Sequence, residues 1–180
     1  MVEFFGYFSV AAIVIVLAVF YSKARRESLN EALFTDRMHF VVCAPKVFRV
    51  SGIICALFFG AIIIFYSFTV AEDDPAYFLL TAIFAGFLVL GAFLAYYAFR
   101  WKLVVVDNWL NLTPLFGSKR KYYVRDLTHF KTDPTFGVRA YSNGKQLFLV
   151  DSYSVGCGMF VSYLIEKGVK APDKINLIRQ

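Results

Sequence analysis

His129 and Cys157, with Asp126 or Asp151, supply the residue types of a Cys-His-Asp nucleophilic site, in which a base draws the thiol proton and the sulfur attacks a carbonyl. The framing such a site needs is missing. Gly156 and Gly158 flank Cys157 but serve only to weaken the first turns of its helix, and the other histidine, His39, lies far upstream in the chain. Cys157 falls on the apolar face of an expected helix, where a cysteine behaves as a small apolar residue. Gly117-Ser118-Lys119 carries a fragment of a phosphate-binding loop without its remaining glycines and spacing. Cys43, Cys55 and Cys157 are odd in number, lack metal-ligand spacing and read as free thiols on a reducing side. The expectation is no catalytic residue, no metal, no cofactor and no enzymatic activity.

The densest charge is Lys119-Arg120-Lys121, with Arg125 beyond it. Beside an anionic leaflet each such residue gains about 1 kcal/mol, so the four are candidates for contact with lipid headgroups or a partner. A solvated strand-turn face is the alternative, and both stay open. Tyr122 and Tyr123 adjoin the run, but alternating aromatics are ordinary in strands, and nucleic-acid binding is not expected.

These residues sit in the second half of a chain of two characters. Apolar residues make up 59% and aromatics 19% of its 180 residues, more than a soluble domain carries, and the excess lies in the first hundred residues. From Arg100 onward thirteen Lys/Arg face six Asp/Glu, a local charge of +7. Phe4–Ser22 is uncharged and long enough to span a hydrocarbon core of about 30 Å at 1.5 Å per residue. Glu3 before it and Lys23, Arg25 and Arg26 after it mark a retained anchor, not a cleaved signal. Val50–Ala71 and Ala76–Phe99, separated by Glu72-Asp73-Asp74-Pro75, form an antiparallel helical hairpin. Lys/Arg between the first two spans and after the third place the loop and the C-terminal domain in the cytoplasm, the N-terminus and acidic turn outside.

The expected organisation is a transmembrane helix in 1–22, a basic loop 23–49 with a strand at 38–43, a transmembrane hairpin 50–99, a soluble domain 100–170 and a tail 171–180. Arg100, Trp101 and Lys102 form the interfacial anchor and a short link to the domain. No ionisable residue lies inside a span, which argues against an ion path. Ser51, Ser67 and Thr81 can bond their own helices. Gly52, Ala56 and Gly60 line one face of the second span, and Ala82 with Gly86 and Gly91 with Ala95 do so on the third. Such rows allow close packing, within the hairpin or between copies.

After the junction, strands are expected at Lys102–Val106, Leu110–Leu115, Arg120–Val124, Leu127–Lys131, Phe136–Tyr141 and Lys145–Val150. Asn143-Gly144 marks a type I′ hairpin turn. Ser154 caps a helix with Cys157, Phe160, Val161, Leu164 and Ile165 on one face, ended by Gly168. Met38–Cys43 reads as a strand too, and needs a ladder partner in the C-terminal sheet. The stretch Trp101–Asp107, Arg125-Asp126-Leu127 before a strand, and the closing helix around Phe160 and Leu164 resemble bacterial membrane proteins carrying a pleckstrin-homology-like (PH-like) domain, over about residues 47 to 170. That resemblance implies an α+β fold, a bent seven-stranded antiparallel sheet capped by a C-terminal helix. PH domains that grip phosphoinositides carry basic residues around the first hairpin. Asp107-Asn108, taken as that turn, departs from the pattern and argues against such recognition. The chain is thus expected to be a multi-pass protein of the cytoplasmic membrane that presents a binding or scaffolding domain to lipid or to another membrane protein. The alternative is a small accessory subunit of a transport or envelope-stress complex.

Overall fold

Between His39 and Cys43 side chains alternate outward and inward, Phe40 and Val42 being buried, and the segment forms strand β1 (His39–Cys43). The computed structural model describes residues 22, 23, 26, 38–69, 75–133 and 137–171. The first span over Phe4–Ser22 (Ser22 apart), the acidic turn 72–74 and the tail 174–178 lie outside the described residues. The chain divides into two units, one drawn from Met1–Pro45 with Lys102–Gln180, the other Lys46–Trp101.

The second unit is a helical hairpin of α1 (Lys46–Thr69) and α2 (Pro75–Arg100). Pro75 suits a first helical position because its missing N–H would be unpaired there anyway. Both helices are long and apolar enough to cross a membrane. Large side chains such as Leu57, Phe58, Phe65 and Phe78 face outward, the reverse of a helix in a soluble core. Ser51 and Ser67 donate to the carbonyls of Val47 and Ile63, 2.8 and 2.9 Å away, as expected of hydroxyls bonding their own helix, whereas the Thr81 hydroxyl, expected to do the same, is buried without a partner. The helices meet through Gly52 and Gly91, and the rings of Phe59 and Phe87 stack at 4.9 Å. The small-residue row of α1 is thus used within the hairpin. Gly86 on α2 has nothing within 4 Å of where a Cβ would stand.

The first unit holds two antiparallel sheets and a helix. Strands β2 (Lys102–Val106), β3 (Trp109–Thr113) and β4 (Arg120–Tyr123) join β1 in the order β1-β2-β3-β4. A 3-10 turn, Val124–Asp126, follows. β5 (His129–Asp133), β6 (Gly137–Ser142) and β7 (Lys145–Val150) form the second sheet in that order. The strand expected at Leu127 begins two residues later because the 3-10 turn intervenes. Asn143 and Gly144 adopt positive φ of 48° and 76°, as the β6–β7 turn requires.

Helix α3 (Cys157–Glu166) closes the unit. Its N-cap is Gly156 in the left-handed region, not Ser154, whose hydroxyl is buried without a hydrogen-bond partner. A Cβ on Gly156 would fall 3.1 Å from the Val41 carbonyl oxygen, so the glycine lets the chain pass close against β1. The core unites the three layers. Phe40 of β1 meets Tyr163 of α3 edge-on at 5.7 Å, Phe148 of β7 lies 6.2 Å from Phe160 of α3, and Tyr122 of β4 lies 5.5 Å from Phe148.

β1 pairs with β2 along its whole length, from His39 opposite Val106 to Cys43 opposite Lys102. Its far edge is capped where Cys43 and Val155 exchange backbone hydrogen bonds of 3.3 and 2.9 Å. The strand of the basic loop is therefore the first strand of the folded unit, and the hairpin of α1 and α2 is inserted between two paired strands. This relocates the Asp107-Asn108 turn. It joins the second strand to the third, and the connection of the first hairpin is the helical pair itself.

Candidate functional site

Strand alternation sorts the basic run onto different faces. Arg120 lies opposite Leu112 and Tyr122 opposite Leu110, and both leucines are buried, so these two belong to the inward face of β4. Lys121 lies opposite Asn111 and Tyr123 opposite Trp109, on the outward face. Lys119 precedes the strand and Arg125 sits in the 3-10 turn, both exposed. The four cations expected as one cluster thus share one edge of the sheet without sharing a face.

What the outward face gathers is different. Two rows cross all four strands: His39, Val106, Trp109 and Tyr123 in one, Val41, Val104, Asn111 and Lys121 in the other. Val41, Val106 and Trp109 remain 46%, 36% and 41% exposed, too open for a core. The Lys121 ammonium sits 4.2 Å above the Trp109 ring, and that ring meets Tyr123 edge-on at 4.8 Å. An apolar sheet face with a cation held over its largest ring is chemically suited to binding a surface that is itself apolar and acidic. Sequence reasoning does not pick out Val41, Val106, Trp109 and Tyr123 as a site. The available signal was Val104-Val105-Val106, where an apolar residue at every position asks for cover on both faces.

The turn beside this face is held fast. Asp107, at φ 52°, donates its N–H to the Met38 carbonyl at 3.0 Å and accepts the Tyr163 hydroxyl on its own carbonyl. Its carboxylate stands 3.3 Å from His39 Nε2, and Val124 N–H donates to the Asn108 carbonyl at 2.9 Å. Burial first, and then Asp107 and Tyr123, push the Tyr163 hydroxyl up to about 12, so it remains a donor.

The nucleophile candidates do not share the chemistry their types allow. Burial, reinforced by Asp151, pushes the Cys157 thiol up to about 12, which keeps it protonated at neutral pH. His129 stacks on Tyr141 at 4.7 Å, and its Nδ1 lies 3.2 Å from the Thr128 hydroxyl. Asp126 is exposed in the 3-10 turn. Among the described residues no group of three His, Cys, Asp or Glu could hold a metal ion.

At the junction, Arg100 ends α2, Lys102 begins β2, and both are exposed. Trp101 between them is only 8% exposed, its ring stacked on Tyr97 at 6.2 Å and its backbone N–H donating to the Tyr97 carbonyl. The ring expected at the membrane interface, as part of the interfacial anchor, is mostly covered.

A family model matches residues 1–168, and its description is a family of unknown function (DUF6560). No curated protein and no solved structure matches the chain.

Proposed function

Since the chain belongs to this family of unknown function, we propose its role from its own geometry: a non-enzymatic, membrane-tethered binding module. On this reading the hairpin crosses the cytoplasmic membrane with its basic end inside, and the β unit is a PH-like domain at the cytoplasmic surface. The observation that carries the reading is the insertion of two membrane-length helices between the paired strands β1 and β2. Two residues, Ala44 and Pro45, link β1 to α1, and Trp101 alone links α2 to β2. Four strands in one sheet, three in the other and a closing C-terminal helix support the PH-like assignment. In such domains the first hairpin meets phosphoinositides, and here its place is taken by the membrane anchor.

The partner is an acidic, partly apolar surface on another membrane-held protein, bound by the outward face around Trp109 and Lys121. The charge of +7 from Arg100 onward favours an acidic partner. Tethering both proteins to one membrane raises their effective concentration, so a modest face suffices. The test is photo-crosslinking in native membranes from position 106 or 109, with position 145 as control. A membrane-resident adduct from the first two, lost in Lys121→Glu, is expected. Adducts equal at all three positions, or none, would overturn the reading.

One observation favours the accessory-subunit alternative: Ala82 and Gly86 leave a small-residue row exposed on α2, where another helix could pack. If Gly86→Leu abolishes co-purification of a membrane complex while Lys121→Glu leaves it intact, that alternative gains.

A further inference from the structure

β4 ends the first sheet, and its register fixes which backbone groups face its neighbour. Val124 N–H donates to the Asn108 carbonyl at 2.9 Å, and bonded positions recur at every second residue of an antiparallel pair. Tyr122 and Arg120, opposite Leu110 and Leu112, therefore bond to β3. The N–H and C=O of Lys121 and the N–H of Tyr123 point the other way, the Tyr123 carbonyl standing at the head of the 3-10 turn. Among the described residues these edge groups have no partner. The edges of β1 and β5 differ: Val155 caps the first, and on the second Phe130 N–H donates to the Lys170 carbonyl at 3.1 Å.

The open edge is half basic and half aromatic, reading Arg120-Lys121-Tyr122-Tyr123. Lys119 and Arg125 flank it, and no Asp or Glu stands in 119–125. Lysine on an edge strand ordinarily repels a further strand. Here the edge also carries apolar surface, since Trp109 is 41% exposed and its ring meets Tyr123 at 4.8 Å. Charge and rings together make the edge selective. A second β4 would bring four more cations to the same seam, which disfavours a copy of this chain, whereas an acidic strand neutralises them.

We propose that an extended acidic segment of the protein partner adds to β4 as a fifth, antiparallel strand of the first sheet. Its main chain exchanges both hydrogen bonds with Lys121 and accepts a third from Tyr123 N–H, while side chains opposite β4 give specificity. Reading from its N-terminus, two apolar residues fall opposite Tyr123 and Tyr122, and two acidic residues follow opposite Lys121 and Arg120. This inference rests on the reading of the face around Trp109 and Lys121 as the site for an acidic membrane-held partner, and adds how that partner is gripped.

The test uses the full chain in neutral detergent and a capped, fluorescein-labelled peptide, Thr-Val-Val-Glu-Glu-Thr. Backbone hydrogen exchange resolved to single amides should find Tyr122 slow and Lys121 and Tyr123 fast in the free protein. At saturating peptide the Lys121 and Tyr123 amides should slow about tenfold, with those of β7 unchanged. By fluorescence anisotropy, an N-methyl group on the first glutamate, which abolishes its donation to the Lys121 carbonyl, should weaken binding about tenfold. The reversed order, Thr-Glu-Glu-Val-Val-Thr, should also bind more weakly. Equal binding of the methylated or reversed peptide, or binding without slowing at Lys121 and Tyr123, overturns the added strand and leaves the acidic-partner reading standing. Absence of binding at millimolar peptide also overturns it, and the photo-crosslink from position 109 then decides the partner reading separately. Slowing that appears with rising protein concentration alone overturns it in favour of a second copy.

Discussion

Gly52 of α1 and Gly91 of α2 touch backbone to backbone: a methyl group on Gly52 would fall 2.7 Å from the Gly91 carbonyl oxygen, and one on Gly91 would fall 3.0 Å from the Gly52 carbonyl oxygen. Main-chain atoms cannot swing aside as a long side chain does. Gly52→Leu should therefore force the helices apart and destabilise the hairpin by about 1–3 kcal/mol or more. Gly86→Leu, placed where no atom lies within 4 Å, should change stability by less than about 0.5 kcal/mol. Thermal unfolding of both variants in detergent decides it, and equal losses would refute the crossing.

Tyr163→Phe keeps the edge-on contact with Phe40 and removes only the hydrogen bond to the Asp107 carbonyl. The expected cost is about 1 kcal/mol, seen as a lowered Tm with an unchanged far-ultraviolet spectrum. A Tm equal to wild type would show that the hydroxyl contributes nothing.

The same hydroxyl makes stability depend on alkaline pH. Its folded pKa, about 12, lies above the ordinary tyrosine value of 10.0, so the neutral form is the one the fold prefers. Its contribution is complete below pH 10 and is lost as pH rises toward about 12. Alkaline denaturation followed by circular dichroism should show a shallower loss across that window in Tyr163→Phe than in wild type.

Cys157 should react slowly with a thiol reagent at neutral pH, because its thiol is pushed up to about 12 and little thiolate forms. Mass spectrometry of the alkylated protein should show Cys43, which is partly exposed, labelled first. Labelling of Cys157 faster than free cysteine would revive the nucleophile that its surroundings argue against.

The Phe40 and Val42 amides, which face β2, and the Cys43 amide, which donates to Val155, should exchange slowly in the intact chain. Fast exchange of Phe40 and Val42 would contradict the pairing.

Local pattern carried much of this fold. The phases of Leu110 with Leu112 and of Val138 with Ala140 follow from alternation, and the Asn143-Gly144 turn from the φ values it needs. The partner of β1 was legible only as a need, because pairing across an inserted hairpin leaves no local mark. Lys119-Arg120-Lys121 looked like one patch because adjacent letters hide the two faces of a strand. Tyr163 has a polar tip, yet it follows Phe160 by three positions and precedes Leu164 by one, within the same buried stripe.

The insertion of the hairpin between β1 and β2 also sets an order of events during synthesis. β1 leaves the ribosome first and must wait, the ladder meant for β2 unmatched, while both helices are made. Only when α2 has returned to the side from which α1 departed can β2 reach it. Completion of the sheet thus requires α2 to run back antiparallel to α1, and a chain whose second helix fails to return is left with an open strand edge.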